Sequence, residues 1–417
     1  APVDKLRIEG GHRLRGKVQA GGAKNAALPA LAACLLTGED VEVANVPRVR
    51  DVRTMLRVLE QLGATVAPGE SAVRVRTERF ASFEAPYDLV KTMRASVLVL
   101  GPLLARHGRA RVSLPGGCAI GERPIDFHLE GLHRMGAEVT VEHGYVEASA
   151  KRLRGARIAF PVPSVTATEN LMMAGALAEG TTVLENCARE PEVVDLGELL
   201  RAMGASLEGA GTERIEIEGR PSLHGAAHTV IPDRIEAGTY VVAAAAAGDE
   251  VTVSACRPDH LTALLQHLED SGVDLVFGED WIRVRGGELR AGNLETEPYP
   301  GFPTDMQAQC MALATQATGT SVLVETIFEK RFMHVGELRR MGAQVHIDGR
   351  KATIVGPTRL TGAQTMATDL RASACLVVAA LVADGVTVVD RVYHLDHGYE
   401  SMETKLQGLG AAVERIR

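Results

Sequence analysis

A short phrase built around glycine recurs six times along this chain of 417 residues, and it constrains the fold more than any other feature. The phrase is Leu-Gly-Ala or Met-Gly-Ala in five copies and Ser-Gly-Val in the sixth, and an apolar residue follows two positions later. The glycines are Gly63, Gly136, Gly204, Gly272, Gly342 and Gly410, at successive intervals of 73, 68, 68, 70 and 68 residues. This spacing predicts six similar units of about seventy residues each.

The residues around each glycine predict the local structure of a unit. Residues 52–62 have an amphipathic helical pattern, and Gly63 can take the left-handed conformation that ends such a helix. A more apolar helix and a Val-rich strand are predicted upstream. Residues 241–247 and 373–383 are apolar nearly all round, so these helices must be covered on every side. We therefore predict an α/β fold in which sheets enclose helices, because a solenoid rarely has so long a period.

Composition and charge narrow the class of protein. The chain is 46% hydrophobic and 24% charged, with a formal net charge of -8, which indicates an ordinary soluble protein of two or more domains and disfavours a nucleic-acid partner. The most apolar segments are too short to cross a bilayer, so no membrane partner is expected. The six cysteines form no Cys-x-x-Cys pair and no apolar leader precedes Lys5, so we expect reduced thiols and a cytoplasmic location. The histidines lack the spacing of metal ligands, and we predict no metal ion.

A glycine-rich loop at residues 111–127 carries several reactive side-chain types. Its Pro115-Gly116-Gly117 turn allows a ligand or another backbone to come close. Cys118 follows the turn, and the neighbouring cation of Arg123 is expected to lower the pKa of its thiol, as a reactive or proton-donating cysteine requires. The alternative is an inert, half-buried cysteine at a strand end. The loop by itself leaves both interpretations open.

The predicted inner helices begin with similar polar residues. Thr304 and Thr368 are predicted to cap their helices, and the acids behind them complement the helix dipole. A cation stands in the first turn at Lys24, Arg94 and Arg371. The functional interpretation is that these helices aim their N-termini at a shared cleft, where N–H groups and cations form an anion site. We favour that interpretation for the set, because six similar starts recur and three carry a cation.

Five long motifs, in the same order, resemble the UDP-N-acetylglucosamine 1-carboxyvinyltransferases of the enolpyruvyl transferase family. Their positions are residues 20–29, 114–126, 188–195, 302–309 and 328–334. The resemblance extends from about Lys5 to the C-terminus, and it implies a two-domain inside-out α/β barrel built from the six repeated units. By that resemblance, residues 24–231 would form one domain, and residues 1–23 with 232–417 would form the second, with the active site in the cleft between them.

The resemblance implies a reaction. The enolpyruvyl group of phosphoenolpyruvate would pass to the 3'-hydroxyl of UDP-N-acetylglucosamine with release of phosphate, the first committed step of peptidoglycan biosynthesis. Addition and elimination through a tetrahedral intermediate needs an acid for the methylene carbon, a base for the hydroxyl proton, and cations for the carboxylate and phosphate. Cys118 matches the family's proton-donating cysteine, which forms a covalent adduct with phosphoenolpyruvate and is the target of fosfomycin. Asp305 matches the proposed base, and Asp369 is a second candidate.

The resemblance also implies which residues bind the substrates. Lys24 and Asn25 match contacts of phosphoenolpyruvate, and Arg123 matches a residue shared by both ligands; Lys24 and Arg123 are also candidate catalytic residues. Arg331 and Arg371 would complete a cationic wall. The residues that would hold the nucleotide sugar are Arg94, Arg123, Pro124, Ile125, Asp126, Phe127, Ser164, Val165 and Ile327; Asp305 would contact the substrate as the base.

Two positions depart from the family's pattern. His397 stands where relatives usually have arginine, and a histidine is charged only near or below pH 6.5, whereas arginine is a permanent cation. We therefore expect phosphoenolpyruvate binding to be weaker or more pH-dependent. Thr166 stands where many relatives have glycine beside the uridine site, and its hydroxyl is expected to cap the helix.

Two other functions remain open from the sequence. The related transferase that acts on shikimate 3-phosphate has the same fold and donor, but it does not use the Pro-Gly-Gly-Cys loop. A non-catalytic repeat protein that binds nucleotide sugars would not need Cys118, Lys24, Asp305 and Arg371 together. We expect small-molecule substrates, no cofactor, and a monomer.

Overall fold

The computed structural model describes residues 3–115 and 125–417 and shows an α/β protein in which short strands alternate with helices. The predicted site residues Cys118, Arg123 and Pro124 lie outside the described residues. The strands are β1 (Lys5–Glu9), β2 (Leu14–Gln19), β3 (Val41–Ala44), β4 (Thr65–Pro68), β5 (Ala72–Arg76), β6 (Glu84–Ala85), β7 (Arg109–Ser113), β8 (Glu138–Glu142), β9 (Tyr145–Ser149), β10 (Arg157–Ala159), β11 (Thr181–Glu185), β12 (Ser206–Glu208), β13 (Arg214–Glu218), β14 (Ala226–Thr229), β15 (Gly248–Ser254), β16 (Asp274–Phe277), β17 (Trp281–Arg285), β18 (Leu294–Glu295), β19 (Gly319–Val324), β20 (Gln344–Asp348), β21 (Lys351–Gly356), β22 (Gln364–Met366), β23 (Val386–Asp390) and β24 (Ala412–Ile416).

The helices of the described part of the chain are mostly short. The α-helices are α1 (Lys24–Ala33), α2 (Arg50–Leu62), α3 (Tyr87–Val90), α4 (Leu100–Pro102), α5 (Asp126–Arg134), α6 (Val165–Ala176), α7 (Pro191–Ala202), α8 (Arg234–Ala247), α9 (Thr262–Asp270), α10 (Gln307–Ala314), α11 (Val335–Arg340), α12 (Leu370–Val382) and α13 (Met402–Gly408). Turns of 3-10 helix occupy Cys34–Leu36, Arg94–Val99, Pro258–His260, Thr304–Met306 and Val392–His397, and a π-helical turn occupies Leu103–His107. Across residues 3–115 and 125–417, every helix is too short or too polar to cross a membrane.

The described residues divide into two units, each with its own hydrophobic core. One unit contains residues 22–115 and 125–231, and the other contains residues 3–21 and 232–417. The buried apolar residues of the first unit form one contiguous cluster, and those of the second unit form another. Each unit therefore has enough buried apolar surface to supply a core of its own.

Six four-stranded sheets, three in each unit, share one topology. The orders are β14-β3-β5-β4, β6-β7-β9-β8 and β10-β11-β13-β12 in one unit, and β2-β15-β17-β16, β18-β19-β21-β20 and β22-β23-β1-β24 in the other. In every sheet the first pair is parallel and the next two pairs are antiparallel. This identity of topology confirms the prediction of six similar units.

The N-terminal strands belong to sheets that are otherwise built from the C-terminal part of the chain. Strand β1 lies between β23 and β24, with Leu6 opposite Val389 and Ile8 opposite Val413. Strand β2 pairs in parallel with β15. The chain therefore begins in one unit, builds the other, and returns to complete the first.

Buried helices lie inside each unit. Helices α8, α10 and α12 pack on one another, and each packs on one sheet of its unit, so sheets enclose them as predicted. All residues from Arg371 to Leu381 in α12 are buried, which is why that segment has no polar face. Helices α1 and α6 are buried in the same way in the other unit, and they contact each other. Helix α2 instead shows the amphipathic pattern, with Val52, Met55 and Leu59 facing the core.

The six glycines of the repeated phrase all take the predicted conformation. Their φ angles lie between +87° and +113°. A residue with a Cβ is strained there, so glycine ends the preceding helix and lets the chain turn into the next strand.

The predicted caps at Thr368 and Thr304 are wrong. Asp369 caps α12, because its Oδ1 accepts hydrogen bonds of 3.0 Å from the N–H groups of the second and third helical residues. Thr304 begins the 3-10 turn itself, and its hydroxyl donates 2.8 Å to Oε1 of Glu325. Thr368 and Asp369 are adjacent cap-forming residues, and the sequence does not reveal which of them precedes the helix. In the other segment Pro303 precedes the 3-10 turn, and no side chain caps it.

The predicted cap at Thr166 is also wrong. Ser164 precedes α6, and its Oγ accepts a hydrogen bond of 3.3 Å from the N–H of Ala167. Thr166 is the second residue of that helix, and its hydroxyl lies 3.3 Å from Nε2 of His128. Its role is therefore a side-chain contact between α5 and α6.

Candidate active site

Asp305, Arg331 and Arg371 are brought together in the unit that contains residues 232–417. Nη2 of Arg331 lies 3.0 Å from Oδ1 of Asp305, and Nη2 of Arg371 lies 3.5 Å from Oδ2 of the same carboxylate. Both arginine side chains are 5% exposed, whereas that of Asp305 is 28% exposed. The carboxylate thus stands between two buried cations and stays accessible from one side, which suits a group that must meet a substrate.

Tyr399 holds the second of these arginines. Nη1 of Arg371 donates a hydrogen bond of 3.1 Å to the Tyr399 hydroxyl, which also lies 2.8 Å from Oγ1 of Thr239 in α8. Burial by itself lowers the pKa of Arg371, but contact with Tyr399 and the charge of Asp305 raise it above its usual value. Arg371 is therefore a fixed cation, connected to two other elements of the same unit.

Asp369, the second candidate base, has a different environment. Its Oδ1 receives the two backbone N–H groups that cap α12, and its Oδ2 lies 3.1 Å from the hydroxyl of Thr368. Both oxygens are therefore already occupied by donors that hold the helix start. The carboxylate of Asp305 instead contacts the side-chain cations of Arg331 and Arg371, and part of its surface is exposed.

Lys24, at the start of α1, is paired in the other unit. Its Nζ lies 3.0 Å from Oδ2 of Asp51, which stands in the first turn of α2. The side chains are 13% and 12% exposed, so the pair is largely shielded from water. An anion near the first turn of α2 is favoured by the helix dipole, whereas the cation of Lys24 at the start of α1 is not, and Asp51 offsets that cost.

A buried network fixes the start of α6 against α5. The side-chain amide of Asn170 accepts a hydrogen bond of 2.7 Å from the N–H of Gly101 and donates one of 2.9 Å to the carbonyl of Val97. These two backbone groups set the orientation of the amide. Its second N–H then points at Nδ1 of His128, 2.9 Å away. That nitrogen must accept, so the neutral ring carries its proton on Nε2 and donates to Thr166. Burial lowers the pKa of His128 to about 4, which keeps the ring neutral near pH 7.

The other predicted site residues lie at the ends of elements. Asn25 is exposed in the first turn of α1, Arg94 begins a 3-10 turn, and His397 ends another. Residues 125–127 form the start of α5, and Ser164 and Val165 form the start of α6. Ile327 lies in the segment between β19 and α11. Positions at element ends are those from which side chains most often reach ligands.

The five cysteines within the described residues are all buried. Burial raises the pKa of Cys34 and of Cys187 to about 12 and that of Cys256 to about 11. Burial also raises the pKa of Cys310 and Cys375 well above the usual value. These thiols stay protonated near pH 7, so none of the five is a candidate nucleophile or acid.

Three partners of the predicted site residues and their neighbours were not found from the sequence. Asp51 forms a salt bridge with Lys24, Tyr399 accepts a hydrogen bond from Arg371, and Glu325 accepts a hydrogen bond from the hydroxyl of Thr304. Tyr399 lies two positions after His397 in the sequence. Within residues 3–115 and 125–417, no group of three or more His, Cys, Asp or Glu side chains is arranged to hold a metal ion.

Several known proteins are similar to this chain. Residues 8–406 match the family model described as EPSP synthase (3-phosphoshikimate 1-carboxyvinyltransferase). A curated relative from Solibacter usitatus (strain Ellin6076), called UDP-N-acetylglucosamine 1-carboxyvinyltransferase, is 59% identical over 417 residues, covering 99% of this chain and 100% of the relative. A relative of the same name from Koribacter versatilis (strain Ellin345) is 57% identical over 419 residues, covering 99% of this chain and 97% of the relative.

A solved structure shares the fold. The enolpyruvyl transferase NikO from Streptomyces tendae superposes with a TM-score of 0.91 at 28% identity, covering 100% of this chain and 99% of that protein. The chain therefore belongs to the EPSP synthase family of carboxyvinyl (enolpyruvyl) transferases, and within it to the UDP-N-acetylglucosamine 1-carboxyvinyltransferases.

Proposed function

We propose that this protein transfers the enolpyruvyl group of phosphoenolpyruvate to the 3'-hydroxyl of UDP-N-acetylglucosamine, releasing phosphate. The observation that carries the proposal is the identity of 59% and 57%, over nearly the whole chain, to two relatives that bear the name of this activity. The cluster of Asp305, Arg331 and Arg371 supports it, because the reaction needs a base and fixed cations.

The proposed reaction has two steps, an addition and an elimination. In the addition, the sugar oxygen bonds to C2 of phosphoenolpyruvate, its proton goes to a base, and a proton from an acid goes to C3, which becomes a methyl group. In the elimination, the C2–O bond to phosphate breaks and the methyl group loses a proton, which restores the double bond. Cys118 is the acid in this proposal and also forms a covalent adduct with phosphoenolpyruvate, so fosfomycin is an expected inhibitor.

Asp305 is the base in this proposal. Two guanidinium groups fix its carboxylate, and its exposed side leaves room for a hydroxyl. Asp369 is less suited, because helix-capping bonds already hold one of its oxygens and a neighbouring hydroxyl contacts the other. Lys24, Asn25, Arg123 and His397 would bind phosphoenolpyruvate.

The nucleotide sugar would contact residues from several element ends. Those residues are Arg94, Arg123, Pro124, Ile125, Asp126, Phe127, Ser164, Val165 and Ile327. We propose further that residues 24–231 and residues 1–23 with 232–417 act as two domains that share the active site, which closes over the substrates so that water is excluded. The proposed setting is the cytoplasm, where the product would enter peptidoglycan biosynthesis and so serve cell-wall growth and division.

The test is phosphate release from phosphoenolpyruvate with UDP-N-acetylglucosamine or shikimate 3-phosphate as acceptor. We expect release only with the nucleotide sugar, and we expect fosfomycin and Cys118→Ser to abolish it. The matched control is Cys34→Ser, because that thiol is buried away from solvent and should leave turnover intact in the folded protein. Release with shikimate 3-phosphate alone would overturn the proposal.

A further inference from the structure

Glu325 is almost fully buried, yet both of its carboxylate oxygens are hydrogen-bonded. The residue is 1% exposed and directly follows β19. Oε2 accepts 2.8 Å from the hydroxyl of Thr296, 2.9 Å from the N–H of Ile327 and 3.2 Å from the N–H of Phe328. Several donors around one carboxylate offset the cost of burying its charge. The loop that carries Ile327 is therefore folded around this anion.

The other oxygen of Glu325 reaches the turn that carries Asp305. Oε1 accepts a hydrogen bond of 2.8 Å from the hydroxyl of Thr304 and one of 3.3 Å from the side-chain amide of Gln307. The Thr304 oxygen in turn accepts 3.4 Å from Nη1 of Arg331. Because a guanidinium only donates, Thr304 must direct its single hydrogen to Glu325. Nη2 of the same arginine donates 3.0 Å to Oδ1 of Asp305.

These contacts form a directed chain of alternating charge. It runs from the Glu325 anion through the Thr304 hydroxyl to the Arg331 cation, and from there to the Asp305 anion. The same carboxylate anchors the backbone of Ile327. One buried group thus fixes two segments that the proposed function assigns to chemistry and to nucleotide-sugar binding.

We infer that Glu325 is a positioning residue, which holds Asp305 through Thr304 and Arg331 and holds the Ile327 segment through its backbone. The inference rests on the proposed function, in which Asp305 is the base and Ile327 contacts the nucleotide sugar. Glu325 itself reaches neither substrate in this account. Its carboxylate accepts the hydrogen of the Thr304 hydroxyl, which leaves the Thr304 oxygen to accept from Arg331.

Replacement by glutamine separates charge from shape. Glu325→Gln keeps the side-chain size but leaves one accepting oxygen and adds a donating NH2 group. If the oxygen faces the N–H groups of Ile327 and Phe328, the NH2 group faces Thr304, which can no longer donate in that direction. Gln307 can then accept from the new NH2 group only by rotating its own amide, which breaks its 3.2 Å bond to the Arg331 carbonyl. In the opposite orientation, the NH2 group faces the N–H groups of Ile327 and Phe328 and cannot accept from them. Each orientation of the amide therefore releases one of the two segments.

The experiment compares three variants in the full-length protein. Glu325→Gln is the test, and Glu329→Gln is its matched control, because Glu329 lies in the same segment with a 68% exposed side chain and a distant 3.9 Å contact to Arg350. Thr304→Val removes only the hydroxyl between Glu325 and Arg331. The readouts are kcat, the pH dependence of kcat/KM, the Kd of UDP-N-acetylglucosamine by calorimetry, and hydrogen exchange of residues 326–331.

The expected results differ among the variants. Glu325→Gln should lower kcat by about 10- to 100-fold, since displacing a reacting group by about 1 Å has an effect of that size. It should also shift the acidic limb of the kcat/KM profile, because Arg331 is no longer held against Asp305, and it should weaken nucleotide-sugar binding and speed exchange at Ile327 and Phe328. Thr304→Val should lower kcat but leave the Kd unchanged. Glu329→Gln should match the wild type in all four readouts.

Two results would overturn the inference. One is a folded Glu325→Gln variant with wild-type kcat, pH profile and exchange, whatever its melting temperature. The other is wild-type kcat in Thr304→Val. If the wild type itself fails to release phosphate, the proposed function falls instead, and hydrogen exchange in Glu325→Gln against Glu329→Gln still decides whether the carboxylate holds the segment.

Discussion

Nζ of Lys24 lies 3.0 Å from Oδ2 of Asp51 in a pair that is largely shielded from water. Removing one partner from such a pair leaves a poorly solvated charge, and this costs more than the pair contributes. The proposed function makes the same lysine a contact of phosphoenolpyruvate, whose anionic groups can substitute for the carboxylate. Asp51 therefore holds the cation ready in the absence of substrate.

Asp51→Asn should lower the free energy of unfolding by about 1–3 kcal/mol, because Lys24 loses its counter-charge. Saturating phosphoenolpyruvate should then raise the melting temperature of the variant more than that of the wild type. The control is Asp88→Asn, since Asp88 is 90% exposed and its 3.3 Å pair with Lys91 is on the surface. Thermal melts with and without substrate test this, and an equal shift in variant and wild type would contradict it.

Asp305→Asn and Asp369→Asn should separate the two candidate bases. Asparagine accepts hydrogen bonds as a helix cap nearly as well as aspartate, so Asp369→Asn should keep its capping bonds and most of its activity. Asp305→Asn removes the proton acceptor and should lower kcat by about 100-fold or more. Steady-state kinetics on folded protein decide this. The reverse order of the two effects would move the base to Asp369.

His397→Arg should flatten the pH dependence of phosphoenolpyruvate binding. An imidazole loses its charge as the pH rises from about 6 to 8, whereas a guanidinium keeps it. The KM for phosphoenolpyruvate should therefore rise with pH in the wild type and stay nearly constant in the variant. KM rather than kcat is the quantity to compare, because the proposed role of His397 is in binding this substrate. Parallel KM profiles would exclude a role for His397 in binding this substrate.

Glu236 makes the stability of its unit depend on pH. It is 2% exposed in α8, and its Oε1 lies 2.5 Å from Nζ of Lys405 and 3.2 Å from the N–H of Gly21. Burial raises its pKa to about 7, although the charge of Lys405 opposes that shift. The folded state thus binds the proton more tightly than the unfolded chain does. The contribution of this group is fully present below about pH 4.5 and is lost as the pH rises through about 7.

Glu236→Gln mimics the protonated form of Glu236, so the variant should not lose this stability as the pH rises. Relative to the variant, the wild type should lose about 1–3 kcal/mol of unfolding free energy between about pH 5 and pH 8. The control is Glu250→Gln, since Glu250 is 52% exposed beside Arg285. Urea unfolding at both pH values measures the difference. A gap between wild type and Glu236→Gln that does not change with pH would contradict the account.

Local signals in the sequence were sufficient for the repeated architecture. A helix that ends at glycine and turns into a strand is determined by neighbouring residues, so the left-handed caps at Gly63 and its five equivalents were predictable. The pairing of β1 with β23 and β24 joins residues about 400 positions apart, and the sequence indicated it only through the family resemblance.

The site was less predictable because its partners are distant in sequence. Glu325 follows a strand like many surface glutamates, and only the fold places Thr296 and Thr304 around it. The same holds for Asp51, 27 positions from Lys24. The capping errors were local. At Thr368 the adjacent Asp369 takes the backbone donors, and at Thr304 the turn begins with the threonine itself, after Pro303.

The most direct test of the central claim is the identity of the product formed from phosphoenolpyruvate and UDP-N-acetylglucosamine. Mass spectrometry and proton NMR of the purified nucleotide sugar report whether it has gained an enolpyruvyl group and at which oxygen. The account predicts one vinyl ether at the 3'-oxygen, formed together with one phosphate. An unmodified nucleotide sugar after full incubation, or attachment at another oxygen, would contradict it.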